Sequence, residues 1–158
     1  MVHSRINMNN EPKKPLYIWS VLNNRCPRCR EGKLFITDKA YDLKNNVKMH
    51  EKCPLCGQVT DIEVGFYYGT SYVSYAITVA MSVATFLAWW VILGFSISDN
   101  SIFYWLTFNA ILLIVLQPPL MRISRTLWLS WFVKYDHNWK DKSATEYERI
   151  VKDQMGNW

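Results

Sequence analysis

Two long stretches of this chain carry no formal charge. None of Asp, Glu, Lys or Arg occurs from Val64 to Ser98, and none from Asn100 to Met121. A soluble domain of this size spreads charge along the chain to keep its surface wet. Uncharged, mostly apolar runs of about 18 residues or more belong in a bilayer. As a helix, Tyr72 to Trp90 would reach roughly 27 Å at about 1.5 Å per residue, close to the ~30 Å hydrocarbon core. Tyr67, Tyr68, Tyr72 and Tyr75 fall at one end, with Trp89, Trp90, Tyr104 and Trp105 at the other, the spacing of two interfacial aromatic belts. The chain therefore reads as a membrane α-helical hairpin of two transmembrane helices. A buried hairpin in a soluble protein is the competing reading, and too little polar chain is present to cover it.

The charges set an orientation. Eleven of the 18 Lys and Arg precede the first span and seven follow the second, while the connecting loop holds only Asp99. Basic residues stay on the cytoplasmic side. The expectation is a multi-pass protein of the cytoplasmic (inner) membrane with both termini cytoplasmic. The opening residues show no apolar core of signal-peptide type.

Ahead of the first span stand Cys26-Pro27-Arg28-Cys29 and Cys53-Pro54-Leu55-Cys56-Gly57. Two Cys-x-x-Cys knuckles supply four thiolates to one tetrahedral ion, which fits a structural zinc better than iron. Disulfides need an oxidising compartment, which the topology withholds. A closed four-thiolate shell leaves no position for a substrate water. His50, three residues before Cys53, is read as a solvated loop side chain. Gly57 is expected at positive φ, and Gly32 in a similar part. Lys33–Thr37 and Gln58–Val64 are strand-like, so the segment is expected to be a small β module, an N-terminal four-cysteine zinc ribbon. It has too few apolar residues for a core of its own and needs the metal as a staple.

These readings divide the chain. Residues 1–24 form a tail and a short amphipathic helix, and 25–64 the ribbon. Residues 65–95 hold an entrance motif and the first span, 96–101 an outward loop, and 102–133 the second span. Pro118 and Pro119 are expected to interrupt that span. The kinked extension beyond them would anchor at the membrane interface through Arg122, Arg125, Trp128 and Trp131. Residues 134–158 form a tail in which Ser143 and Glu146 make a capping box for a short C-terminal amphipathic helix. Gly65, Gly69, Ala76, Ala80, Ala84 and Ala88 recur at spacings of four along one face. Small residues let helices approach closely, in the simplest case the first span against the second, in the sharper case a partner helix.

The run Arg25 to Phe35, the second knuckle, and Gly65-Phe66-Tyr67-Tyr68-Gly69 together resemble a bacterial domain-of-unknown-function family, number nine-eight-three, over roughly residues 16–136. Phe132-Val133-Lys134-Tyr135-Asp136 is similar to the form of that family seen in Bacteroidetes-type bacteria. The resemblance implies a ribbon followed by a membrane hairpin, with no settled activity. Some members' genes lie beside terminal-oxidase assembly factors, which implies respiratory-complex biogenesis. Arg30 departs from the usual pattern, where glycine follows the first knuckle, and a local change of turn is expected there.

No acid–base or nucleophile constellation occurs in the spans, so no catalytic residue is assigned. The leading expectation is a non-enzymatic adaptor or accessory subunit with a protein partner in the membrane. The alternative is metal or redox handling during assembly of a terminal oxidase. Seven acidic residues offset the basic ones before the first span, so the electrostatic footprint for nucleic acid is thin.

Overall fold

A computed structural model describes residues 15–94 and 100–144. The N-terminal tail before residue 15, most of the outward loop, and the C-terminal amphipathic helix with Glu146 lie outside the described residues. The elements are a short helix α1 (Tyr17–Leu22), a 3₁₀ turn (Phe66–Gly69), and two long helices, α2 (Thr70–Leu93) and α3 (Ser101–Phe132).

α2 and α3 are both long and apolar enough to cross a membrane. They pack as a hairpin, and over α2 and the first half of α3 much of the remaining surface is apolar and uncovered. Val91, Ile92, Phe103 and Ile114 are 82%, 77%, 70% and 73% exposed. A helix pair wrapped in exposed aliphatic and aromatic side chains has the surface of a protein in lipid. Between the helices, the Asn109 amide donates to Ser82 Oγ at 3.1 Å, and Thr85 Oγ1 lies 3.2 Å from Asn109 Oδ1. Interhelical contacts of this kind contribute about 0.6 kcal/mol each in lipid. Phe86 meets Trp105 edge to face at 5.2 Å.

The alanine stripe does not make this contact. Ala76, Ala80, Ala84 and Ala88 are exposed, whereas Val73 is buried and Ile77, Met81, Thr85 and Trp89 are partly covered. The seam runs along the neighbouring face, where larger side chains interlock, so the simplest reading of the stripe is corrected. Gly69 does pack within the chain: a Cβ there would overlap the Trp128 indole.

The proline pair does not end the second helix. α3 runs unbroken from Ser101 to Phe132 with Pro118 and Pro119 inside it. Proline removes its own N–H, so Pro119 deprives the Val115 carbonyl of its i+4 donor. The Tyr41 hydroxyl, from the loop between the knuckles, donates to that carbonyl at 3.0 Å. The Asn46 amide donates to Pro118 O at 3.1 Å. The loop between the knuckles thus replaces the donor that Pro119 took away and holds a second carbonyl at the proline pair.

The half of α3 beyond the prolines is the platform of the cysteine module, which takes up most of the side chains expected to serve as anchors. Arg122 is 3% exposed. It donates to Asn46 O at 3.0 Å and to Thr37 O, and its guanidinium lies 4.5 Å from the Phe35 ring centroid. Arg125 donates to Val47 O at 3.0 Å and lies over the Tyr67 ring at 4.8 Å. The Trp128 indole donates to Phe66 O at 2.8 Å. Trp131 alone of the four expected anchors is largely exposed, at 59%. α1 also docks here, with Tyr17 Oη 2.7 Å from Ser130 Oγ.

Among the described residues there is no strand. The module is held by isolated antiparallel bridges, Arg25 with Lys33, Phe35 with Met49, and Lys52 with Val59. The strand-like runs are each too short to pair beyond one bridge before the chain turns away into a knuckle or loop. Their apolar side chains instead join one cluster, in which Cys26, Cys29, Leu34, Phe35, Cys53 and Cys56 pack with Phe66, Tyr67, Leu129 and Val133. The module thus completes its core with side chains from α3.

Candidate metal centre

The two knuckles have closely similar backbones. The amide of Arg30 donates to Cys26 O at 2.7 Å, and that of Gly57 to Cys53 O at 2.9 Å. The amides of Cys26 and Cys53 donate to Gly32 O and Gln58 O, both at 2.8 Å. Each turn closes through a residue in the left-handed region, Arg30 at φ 61° and Gly57 at φ 68°. Glycine takes that conformation freely, whereas an L side chain there costs about 1–2 kcal/mol. The first knuckle closes one residue later than the second, from Cys26 N to Gly32 O against Cys53 N to Gln58 O, with Arg30 at the place that Gly57 takes in the second. The arginine adopts the glycine conformation and is held there by its own side chain, which donates to Pro15 O at 2.8 Å and lies 4.5 Å over the Tyr135 ring.

The four sulfurs converge. Cys26 Sγ is 3.7 Å from Cys56 Sγ, Cys29 Sγ is 3.8 Å from Cys53 Sγ, and all four lie within 4.8 Å of one another. A regular tetrahedron with metal–sulfur bonds of about 2.3 Å has edges of about 3.8 Å. The cage therefore fits a single tetrahedral ion. Cys26, Cys29 and Cys53 are at most 2% exposed and Cys56 9%. The Gly32 amide donates to Cys29 Sγ at 3.3 Å. Gly32 is needed for space rather than for positive φ, because a Cβ there would overlap Cys53 Sγ. His50 does not join the four: its backbone N–H donates to Leu34 O at 2.9 Å, and its side chain lies outside the cluster.

Packed so closely, the thiols share protons. Hydrogen bonding with Cys26 pulls the Cys53 thiol down to about 7 and the Cys29 thiol below its ordinary range. Cys26, hydrogen-bonded first to Cys29, is held far above its ordinary range. A metal ion has to displace the retained protons, so binding releases protons and weakens in acid.

Arg28, inside the first knuckle, is a residue that the sequence did not single out. It is 5% exposed and donates to Cys56 O at 3.1 Å, to Lys142 O at 2.8 Å and to Ser143 O at 2.9 Å. It also pairs with Asp136 at 3.3 Å, whose backbone amide donates back to Arg28 O at 3.1 Å. One guanidinium thus ties the first knuckle, the second knuckle and the segment after α3 together. The sequence signal for Tyr41 was the proline pair itself, since Pro119 frees the Val115 carbonyl, which then needs an outside donor; Asn46, on the Pro118 carbonyl, had no such signal. Arg28 gave no comparable signal.

The arrangement defines a buried four-thiolate site able to hold a metal ion, set on a helical hairpin able to cross a membrane. Compared with known protein families, with curated proteins and with solved structures, the chain matches none.

Proposed function

We propose that this protein is a non-enzymatic membrane adaptor, or an accessory subunit of a membrane complex, whose cytoplasmic head is stapled by zinc as a zinc ribbon with rudimentary pairing. One observation carries the reading. The cysteine cage is closed and buried, Arg122, Arg125 and Trp128 of α3 donate to the chain on either side of the second knuckle, and Arg28 binds the first knuckle to the second and to the segment after α3. A metal so placed holds a head at a fixed angle to a hairpin, which is the requirement of a docking element. Zinc is the ion of choice for a four-thiolate site with no redox task. The exposed alanine stripe of α2, with lipid as the default neighbour, offers a partner helix a close approach. The charge asymmetry supports the cytoplasmic membrane, with both termini inside.

Membership of family nine-eight-three belongs to this proposal and rests on the paired knuckles with the Gly-Phe-Tyr-Tyr-Gly motif. Metal or redox handling for a terminal oxidase draws less support, because near-complete burial of three of the four sulfurs opposes exchange. The test is co-purification from native membranes after crosslinking, with metal analysis of the same sample. One zinc per chain and one reproducible partner are expected. Recovery of the protein alone after crosslinking refutes the adaptor reading, and iron in the sample refutes the zinc assignment.

A further inference from the structure

A cavity of about 430 Å³ opens between the start of α2 and the middle of α3. Its lining includes Thr70, Ser74, Tyr75, Thr78, Gln117 and Arg125, and no Asp or Glu. Tyr72 and Tyr75 are 77% and 70% exposed at this level, and Met121, the last residue of the charge-free stretch, also lines the cavity. This is where a bilayer carries its headgroups.

The chemistry of the lining is specific. Arg125 spends one hydrogen bond on Val47 O, and a guanidinium has five N–H donors. The hydroxyls are turned the other way. Thr70 donates to Tyr67 O at 2.6 Å, and Thr78 to Tyr75 O at 2.9 Å. Ser124, also on the wall, donates to Leu120 O at 2.8 Å. These three hydroxyl protons are committed to backbone carbonyls, so their oxygens present lone pairs to a ligand. The cavity thus offers one cationic donor beside a set of acceptors, with Ser74, Tyr75 and Gln117 able to serve as either.

The complement is a phosphate that also carries hydrogen-bond donors. We infer that the cavity binds the headgroup of a phospholipid bearing a glycerol or ethanolamine group, with the phosphate on Arg125 and the hydroxyl or ammonium donors on the Ser and Thr oxygens. A choline headgroup has no such donor. Arg122 takes no part, because it is buried against the loop between the knuckles. This inference rests on the two-span reading above.

The full-length protein is reconstituted in nanodiscs of phosphatidylcholine mixed equally with phosphatidylglycerol or phosphatidylethanolamine, and retained lipid is read by native mass spectrometry after release into detergent. Retention of the donor-bearing lipids about tenfold over phosphatidylcholine is expected, the weight of one hydrogen bond to a charged group. Arg125→Gln abolishes the preference. Because Arg125 also clamps Val47, Ser74→Asp is the second variant: it leaves that clamp and places a carboxylate against the phosphate. It abolishes the preference too, with full metal content reporting an intact head. Equal retention of phosphatidylcholine, or an unchanged preference in Ser74→Asp, overturns the inference. Protection by inorganic phosphate without lipid retention overturns the lipid as the source. Alkaline carbonate extraction of the starting membranes separates the two levels. Release of the protein refutes the spans themselves, whereas retention in the membrane without lipid preference refutes only the cavity.

Discussion

Gly32 and Gly57 flank the same metal cage and are glycines for different reasons, which makes their alanine variants a test of the site's geometry. At Gly57 a Cβ meets nothing within 4 Å, and the obstacle is φ +68°. Strain of that kind is about 1–2 kcal/mol, and Arg30 sustains it at the equivalent place. At Gly32 the backbone is unremarkable and the space is missing, because the new Cβ would overlap Cys53 Sγ. To restore an ordinary contact of about 3.5 Å, the sulfur or the turn has to retreat by about 1 Å. Metal–sulfur distances tolerate about 0.2 Å. Gly32→Ala should therefore lose a ligand and bind zinc at least ~100-fold more weakly, while Gly57→Ala should lose about tenfold at 1.4 kcal/mol per decade. Competition with a chromogenic chelator on detergent-purified protein reads both. Equal affinities for Gly32→Ala and Gly57→Ala would refute the close-packed cage, as would an unchanged Gly32→Ala variant.

The clasp on the prolines is a second target. Tyr41→Phe should lower the melting stability of the detergent-solubilised protein by about 1 kcal/mol, and the loss should vanish in a Pro119→Ala background, where the helix supplies its own donor to Val115. Replacing Arg122 with Met strands the Thr37 and Asn46 carbonyls at about 1–3 kcal/mol each, and should expose residues 37–48 to limited proteolysis with the metal still bound. Asp136 is subject to some desolvation, but the Asn138 amide and Arg28 hold its carboxyl below the usual range. That contribution is complete above the ordinary carboxyl value of about 3.9 and is lost as pH falls through the lowered one. The protection factors of residues 134–143, with the intrinsic pH dependence of exchange divided out, should therefore be flat from neutral pH to about 5 and fall only in stronger acid, whereas Asp136→Asn should be poorly protected throughout. Ala80→Leu together with Ala84→Leu should leave the hairpin's stability unchanged within about 0.5 kcal/mol, since the stripe faces away from α3, and should reduce recovery of a crosslinked partner.

The hairpin and the ligand set were legible in the sequence because each rests on a local pattern. Absence of charge over the length of a bilayer admits few folds, and two Cys-x-x-Cys pairs of the same form bring four sulfurs to one ion with little help from elsewhere. Proline and small-residue patterns were legible only as possibilities, because their outcome depends on what lies beside them. Pro118 and Pro119 end a helix in isolation. Here they do not: Tyr41, more than 70 residues earlier in the chain, supplies the donor that Val115 O lost to Pro119, and Asn46 donates to Pro118 O beside it.

The same division separates the two groups of arginines. From sequence, Arg122 and Arg125 follow an apolar run and have the position of headgroup anchors. In the folded protein one is buried under a loop and the other lines a cavity, because the cysteine module folds back onto α3 and takes their hydrogen bonds. Arg28 sits between two cysteines and carries no signal in the sequence, yet it joins both knuckles to the chain beyond α3. Apolar length and ligand spacing act over short range, so the order of residues was enough to specify two helices able to cross a membrane and the four thiolates. The union of the metal site with the second span into one body had to come from the folded chain. It is made by hydrogen bonds and packing between segments 70 to 115 residues apart, which no local pattern encodes.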